Sequence, residues 1–202
     1  TNIQSKVSCH YLIKYNGEIV KLVPDLYIAW HAGQSSWRNF KSLNLNSIGI
    51  EITNPGHEFG YKKFSKKQIL SLLKLTKFLI KKYRINYKNV LGHADIAPER
   101  KKDPGEKFPW EYLSRNKIGL WHTLKNQELI KYRNLKTSKI EKEFFFKYLF
   151  KIGYSKKTPK DFSKDKYLKN VTKAFQRRFR QELIDGKIDR ECLLISKNLL
   201  KK

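Results

Sequence analysis

A long amphipathic segment between two strand-like segments limits the folds open to this chain. Ser65 and Gln68 have capping-box spacing, and from there to about Tyr83 the apolar residues recur on one helical stripe. Residues 46–53 and 89–93 instead show the alternation or the short apolar run that is typical of strands. Strands combined with a helix of this length indicate an α/β fold in which helices flank a central mixed β-sheet.

The N-terminal part predicts further elements of this sheet. Residues 7–14 and 18–23 flank an Asn16-Gly17 turn, and Asn-Gly is the strongest short signal for a β-hairpin. Within 46–53 the isoleucines alternate with polar residues, so Glu51 is predicted to face away from them. A short helix is predicted over 109–116. These elements define a first domain, predicted to span residues 1–122.

The chain changes character after this domain. Residues 123–138 are polar and basic and lack periodicity, which predicts a linker. Three amphipathic patterns then predict a small three-helix domain over 139–202, for which a generic helical cap on the first domain is the alternative. The apolar positions are Ile140, Phe144, Tyr148 and Phe150 in the first helix, Tyr167, Leu168, Val171, Ala174, Phe175 and Phe179 in the second, and Leu193, Leu194 and Leu199 in the third.

The charge is strongly positive, with a formal net charge of +26. The excess is shared about evenly between the two halves, whereas a nucleic-acid patch would concentrate it on one element. We therefore predict no nucleic-acid partner. The excess of lysine fits either a compositional bias of the genome or attraction to an acidic polymer or surface. No apolar run reaches the roughly 18 residues that span a bilayer, so no transmembrane segment is predicted.

Isolated cysteines and histidines have simple structural interpretations. Cys9 and Cys192 are predicted to be unpaired, small buried residues. His57 lies in a glycine-containing loop and His122 at the end of the first domain, so both are predicted to lie on the surface.

The segment from Gly92 to Gly105 contains a candidate metal site. His93 is placed where the predicted strand 89–93 ends, Asp103 follows after a loop that contains a proline, and Lys101 stands close before Asp103. Zinc prefers such nitrogen and oxygen ligands, and a catalytic site keeps one position open for water. Two ligands alone are weak evidence, so the isolated pair favours a structural histidine and a loop aspartate over a metal site.

Four separated segments together resemble the type-2 zinc N-acetylmuramoyl-L-alanine amidases, the bacterial relatives of peptidoglycan recognition proteins. They are residues 7–13, 29–33, 46–51 and 92–105, which occur in the family's order and cover roughly residues 7 to 113. The resemblance implies a hydrolase for the amide between N-acetylmuramic acid, or its anhydro form, and L-alanine. The substrate would be peptidoglycan or a muropeptide, and the cofactor Zn²⁺.

The resemblance also implies roles for individual residues. His93 and Asp103 match zinc ligands, Glu51 matches the catalytic carboxylate, and Lys101 matches the cation that meets the oxyanion. The positions expected near the substrate are His10, His31, Trp37 and Asn46. His10 equally fits a satisfied structural residue of a strand.

One family position falls outside the matching segments. The family's first zinc ligand is a histidine in an early strand before Val7, so we expect it outside these 202 residues. The alternatives are that this chain is an inactive remnant of an amidase, or that His10 or His31 replaces the missing zinc ligand. Retention of the remaining catalytic residues favours a parent protein that supplies the missing ligand.

The C-terminal region carries a looser resemblance. Residues 174–179 and 185–189 are similar to a small three-helix peptidoglycan-binding domain found on many wall hydrolases. We therefore predict a wall-associated amidase, with a non-catalytic peptidoglycan or muropeptide recognition module as the alternative. The expected location is the cell envelope or periplasm, with the cytoplasm as the alternative, and the sequence leaves the oligomeric state open.

Overall fold

The structure is a computed structural model that describes residues 7–160 and 162–201. This part of the chain forms two compact units. The first unit contains the described residues up to Ser36, then Phe40–Val90 and Lys107–Gly119. The second unit contains Trp37–Asn39, Leu91–Glu106 and the described residues from Leu120 onward.

The described residues contain short strands and helices of mixed length, joined by turns and loops. The strands are β1 (Tyr11–Ile13), β2 (Ile19–Lys21), β3 (Ser36–Trp37), β4 (Phe40–Lys41) and β5 (Ile50–Ile52). The α-helices are α1 (Lys66–Tyr83), α2 (His93–Ile96), α3 (Trp110–Arg115), α4 (Asn126–Leu129), α5 (Lys139–Ile152), α6 (Lys164–Phe179) and α7 (Arg190–Leu199). Single 3-10 turns occur at Leu43–Leu45, Tyr87–Asn89 and Ile130–Tyr132. Among these helices none is both long and apolar enough to cross a bilayer.

The first unit is built around a three-stranded mixed sheet in the order β2-β1-β5. Strands β1 and β2 are antiparallel, with Tyr11 opposite Lys21. Strands β1 and β5 are parallel, with Leu12 opposite Glu51. The predicted hairpin and the α/β fold class are confirmed, although each strand is shorter than its sequence pattern.

Helix α1 begins at the predicted capping box. The Ser65 hydroxyl accepts a hydrogen bond from the Gln68 N–H (3.1 Å), and the Gln68 side chain accepts one from the Ser65 N–H (3.0 Å). The Gln68 amide also donates to the Thr53 carbonyl just after β5 (2.8 Å), and the Ser71 hydroxyl donates to the Gly17 carbonyl in the hairpin turn (2.5 Å). These bonds fix the start of α1 to the sheet, whose buried residues it helps to cover.

The strand predicted over residues 89–93 is wrong. The Asn86 side chain accepts from the Lys88 N–H (3.0 Å) and caps a 3-10 turn that ends at Asn89. Gly92 then becomes the N-cap of α2, so His93 begins a helix instead of ending a strand. Two helix-start signals flank the short apolar run, and they determine its conformation.

The three predicted C-terminal helices are present as α5, α6 and α7, but the prediction of which face of α5 is buried is wrong. The helix buries Phe145, Leu149 and Ile152, while Ile140 is 65% and Phe144 is 44% exposed. Helix α5 carries aromatic residues on more than one face, so periodicity alone could not select the buried one.

His122 is also placed differently from its sequence prediction. It is buried, and its ring stacks on that of Trp121 with 4.9 Å between centroids. The exposure predicted for His57 is confirmed, and Cys9 and Cys192 are both free and buried.

The predicted linker contains ordered structure, including α4 and a 3-10 turn. Arg133 in this segment forms a two-pronged ion pair with Glu191 of α7 (2.7 and 2.8 Å) and a further bond to Glu182 (2.7 Å). Residues 91–106 belong to the same unit as α5–α7. The domain boundaries at 122 and 138 stay a prediction, because packing alone does not show which segments fold independently.

A buried carboxylate joins several elements of the first unit. Asp25 accepts hydrogen bonds from the hydroxyls of Tyr11 (2.5 Å) and Tyr83 (2.7 Å), and it pairs with the ammonium groups of Lys21 and Lys82 (3.0 Å each). Burial would raise the pKa of Asp25, but these donors outweigh burial and hold that pKa well below its usual range. The charged carboxylate therefore stabilises the packing of β1, β2 and α1.

We predict that Asp25→Asn lowers the free energy of unfolding at pH 7 by about 1.5–3 kcal/mol, because an amide nitrogen would face donors. The native pKa of Asp25 lies below the unfolded one, so this stabilisation is present above about pH 4 and is lost as the pH falls below it. Urea unfolding of both proteins at pH 7 and pH 3 measures the effect. A difference of equal size at the two pH values would contradict the assignment.

Candidate active site

The second unit brings His93 and Asp103 together. The Ala94 N–H donates to the Asp103 carbonyl (2.9 Å), so the loop after α2 folds back onto the start of that helix. His93 Nδ1 lies 3.1 Å from Asp103 Oδ2. The His93 side chain is 14% exposed and the Asp103 side chain 56%, so solvent reaches the pair from the carboxylate side.

The donor atoms of this pair fit zinc. Two ligands at about 2.0–2.1 Å from a tetrahedral zinc ion stand roughly 3.3 Å apart, close to the separation found here. Within residues 7–160 and 162–201, no three His, Cys, Asp or Glu side chains are grouped so that they could hold a metal ion. His93 and Asp103 would therefore supply two ligands of such a site.

The electrostatic surroundings keep the Asp103 carboxylate charged. Desolvation alone would raise its pKa, but the hydrogen bond and charge of His93 and the charge of Lys101 lower the pKa below its usual value. The backbone of Lys101 is held by a hydrogen bond from its N–H to the Ala97 carbonyl (3.0 Å). The deprotonated carboxylate is the form that binds a metal.

Glu51 lies in the first unit, at the centre of β5. Its side chain is exposed, while its neighbours Ile50 and Ile52 are half-buried, as the alternation predicted. Burial raises the pKa of the Cys9 thiol, and the negative charge of Glu51 raises that pKa further. Cys9 is therefore a protonated, buried residue rather than a thiolate ligand.

His10 is buried and bonded at both ring nitrogens. Its Nδ1 accepts from the Gly49 N–H (3.0 Å), and its Nε2–H donates to the Tyr27 carbonyl (3.0 Å). This pattern requires the neutral tautomer with its proton on Nε2. It favours the structural alternative for His10, because neither nitrogen is left for a metal or a substrate.

His31 is positioned beside His10 by its own backbone. The Asn44 side-chain oxygen accepts from the N–H groups of His31 (3.1 Å) and Ala32 (2.7 Å), and the His31 ring stands edge-on to that of His10 at 5.5 Å. Asn44 was not among the predicted residues, whereas the predicted Asn46 is exposed at the end of the 3-10 turn. The alternating Leu-Asn-Leu-Asn run contains no signal that separates the two asparagines.

Trp37 occupies a packed position in the second unit. It is 3% exposed, and its ring meets Tyr154 edge-on at 5.2 Å. A Cβ added at Gly153 would come within 2.3 Å of the indole, so only glycine fits there. Its predicted contact with substrate stays a prediction, and its observed contacts are structural.

Three residues that were not predicted from the sequence surround the start of α2. The buried Asp95 carboxylate accepts from the Gly92 N–H (2.8 Å) and from the Tyr154 hydroxyl (2.7 Å), and it is ion-paired with Arg178 of α6. One signal was available, since Arg178 follows Val171 and Ala174 at helical spacing on the apolar stripe of α6. A charged residue on such a stripe predicts a buried partner.

Comparison with known proteins gives a consistent result. The family described as N-acetylmuramoyl-L-alanine amidase matches residues 1–106. The whole chain is 36% identical to the N-acetylmuramoyl-L-alanine amidase AmiD of Escherichia coli (strain K12), of which it covers 76%. It is 41% identical over 113 residues to the 1,6-anhydro-N-acetylmuramyl-L-alanine amidase AmpD of Haemophilus influenzae, a match that covers 55% of this chain and 59% of that protein.

Solved structures agree with this result. AmiD from E. coli, solved with the substrate anhydro-N-acetylmuramic acid-L-Ala-D-gamma-Glu-L-Lys, aligns with a TM-score of 0.81 over 97% of this chain and 80% of its own. AmpDh3 from Pseudomonas aeruginosa, solved with an anhydromuramic pentapeptide, is 32% identical and aligns with a TM-score of 0.81 over 96% of this chain and 82% of its own.

This chain belongs to the N-acetylmuramoyl-L-alanine amidase family, a class of hydrolases that cleave an amide bond. The family resemblance, the α/β fold and the amidase function predicted from the sequence are confirmed by these similarities. The roles of Glu51, His93, Lys101 and Asp103 stay predictions.

The close approach of Gly49 to His31 gives a test of the arrangement in the first unit. A Cβ at Gly49 would lie 2.2 Å from His31 Cγ, so Gly49→Ala must displace the ring and should lower the free energy of unfolding by about 1–3 kcal/mol. In a His31→Ala background the same change should cost at least about 1 kcal/mol less, because the ring is gone. Urea unfolding of the two single variants and the double variant measures this coupling, and strictly additive effects would refute the contact.

Proposed function

We propose that the protein hydrolyses the amide between N-acetylmuramic acid, or its anhydro form, and L-alanine, using zinc held in part by His93 and Asp103. The observation that carries the proposal is the 3.1 Å approach of these two side chains. The positive charge of Lys101 also helps to lower the pKa of Asp103. The family membership of residues 1–106, which contain all three, supports it.

We infer that the substrates include small anhydro-muropeptides. Two structural relatives that cover more than nine-tenths of this chain were solved with anhydromuramic peptides. The H. influenzae relative is named for the 1,6-anhydro form of the sugar. A peptide attached to an anhydromuramic sugar is therefore the first substrate to test.

The chemistry needs a nucleophile, a proton carrier and a donor for the developing oxyanion. A bound zinc ion would supply acidified water, whose pKa falls to about 7. Glu51 then takes the proton of the attacking water and delivers it to the leaving nitrogen, which balances the hydrolysis. The Lys101 ammonium stabilises the negative oxygen. Glu51 belongs to the other unit, and its role rests on the family resemblance.

The alternative is a module that binds peptidoglycan fragments without cutting them. Such a binder needs neither a general base nor an oxyanion cation, and this chain retains Glu51 and Lys101 together with the His93–Asp103 pair. Retention of this set favours the enzyme. We propose that it acts in the cell envelope, since a catalytic region combined with a C-terminal region that resembles a peptidoglycan-binding domain suits intact wall.

Two variants of the full-length parent protein together test the catalytic assignment. His93→Ala should remove both bound zinc and activity, because it deletes a ligand. Glu51→Gln should keep the zinc and lower turnover by about two to four orders of magnitude, because it deletes only the proton carrier. Metal analysis and chromatographic detection of peptide released from an anhydro-muropeptide measure the two effects. Full zinc in His93→Ala, or loss of zinc in Glu51→Gln, would show that the roles are assigned wrongly.

We further propose that helices α5–α7 contact wall polymer through the exposed side of α5. Ile140 and Phe144 are exposed there, and the Phe144 ring stacks on Tyr148 with 6.2 Å between centroids. Exposed apolar surface of this kind is typical of interaction sites. The positive net charge of the chain suits an acidic polymer.

A surface substitution tests wall binding without disturbing the fold. Phe144→Ala should weaken sedimentation with insoluble sacculi by roughly threefold to tenfold, the scale of about 1 kcal/mol of aromatic contact. Phe59→Ala is the matched control, because Phe59 is an exposed phenylalanine of the first unit. Both variants are compared at low and high salt, since salt screens binding that depends on charge alone. Equal sedimentation of the two variants at both salt levels would refute the proposed surface.

A further inference from the structure

The Asp95 carboxylate is buried at the start of α2 and is fully engaged. It is 2% exposed, and its two oxygens accept from the Gly92 N–H, the Tyr154 hydroxyl and the Arg178 guanidinium. A buried carboxylate keeps its charge only where such donors replace water. The position of Asp95 is therefore determined by groups that come from distant parts of the sequence.

The two distant partners are themselves fixed. Arg178 is 3% exposed on α6, with its guanidinium 5.2 Å from the ring of Phe179. Tyr154 is 2% exposed just after α5, and its ring packs against Trp37. Neither side chain is able to follow Asp95 if α2 shifts, because each is held by its own packing.

Asp95 is in turn linked to both proposed zinc ligands through short backbone connections. His93 is the first residue of α2, and Asp95 is the third. The residue between them, Ala94, donates its N–H to the Asp103 carbonyl (2.9 Å). A displacement of Asp95 would therefore move the helix start that carries His93 and the bond that holds Asp103.

We propose that Arg178 and Tyr154 are positioning residues that hold the His93–Asp103 pair in place through Asp95. The inference deepens the proposed zinc site and rests on it for its functional meaning. The Tyr154 hydroxyl and the Arg178 guanidinium both donate to the Asp95 carboxylate, so their action on the pair runs through α2. The C-terminal helices are then part of the apparatus that binds the metal.

The test uses the full-length parent protein with two mild substitutions and a matched control. Tyr154→Phe removes one hydrogen bond and keeps the ring, and Arg178→Lys keeps the charge and removes the planar fork. Arg133→Lys is the control, because Arg133 pairs in the same unit with the buried Glu191 and with Glu182, which both lie outside residues 91–106. Circular dichroism and thermal unfolding confirm that each variant is folded at the assay temperature.

The first readout is amide hydrogen exchange at Ala94 and Gly92, whose N–H groups bond to Asp103 and Asp95. Tyr154→Phe and Arg178→Lys should accelerate exchange at both amides, while Arg133→Lys should not. The second readout is zinc affinity by competition with a coloured chelator. It should fall about 10- to 100-fold in the first two variants, the scale for loss of groups that support metal ligands, and stay unchanged in the control.

Unchanged exchange at Ala94 and Gly92 in both variants overturns the inference, as does a loss of zinc affinity without faster exchange at Ala94. A variant that only unfolds at lower temperature, with native exchange and affinity below it, shows a merely structural role and also overturns the inference. If the unsubstituted protein binds no zinc, the proposed function fails. The exchange measurement still decides whether Arg178 and Tyr154 position the pair.

Discussion

The buried ion pair between Asp95 and Arg178 sets the organisation of the second unit. Removing one member of such a pair costs about 3–5 kcal/mol, because it leaves a charge without water or a partner. The two residues are 83 positions apart, so the pair requires that α6 and the Gly92–Gly105 segment be packed together. The histidine and aspartate proposed to bind zinc lie in that segment.

The first unit uses a comparable device with a different residue. Asp25 collects two hydroxyls and two ammonium groups from β1, β2 and α1, and His10 satisfies the backbone at Gly49 and Tyr27. Each of these two side chains takes the place of water for the polar groups that surround it. Glu51 differs from them, since its side chain remains exposed at the centre of β5.

Local signals in the sequence predicted much of the fold. The Asn16-Gly17 turn, the Ser65–Gln68 capping box and the apolar stripe of α6 each depend on neighbouring residues, and the structure contains the corresponding elements. The strand predicted over 89–93 failed because Asn86 and Gly92 start helical turns on either side of it. Competition between two local signals is not resolved by the apolar pattern alone.

Predictions about the site depended on recognising the family motifs. These motifs selected His93 and Asp103, which the structure brings to 3.1 Å. They did not reveal Asp95, Tyr154 or Arg178, because those residues meet only after distant segments pack. The buried face of α5 was missed for a related reason, since its aromatic residues allow more than one apolar stripe and tertiary packing selects between them.

The guanidinium supplied by α6 has an evolutionary consequence. A domain joined by a flexible tether is readily exchanged by gene fusion, because its partner loses no internal contact. Helices that contribute a buried counter-ion to the other segment of their unit are not exchangeable in this way, since a replacement would leave the Asp95 carboxylate without its cation. Residues 91–106 and helix α6 are therefore expected to be inherited together, and Asp95 and Arg178 to change only in step.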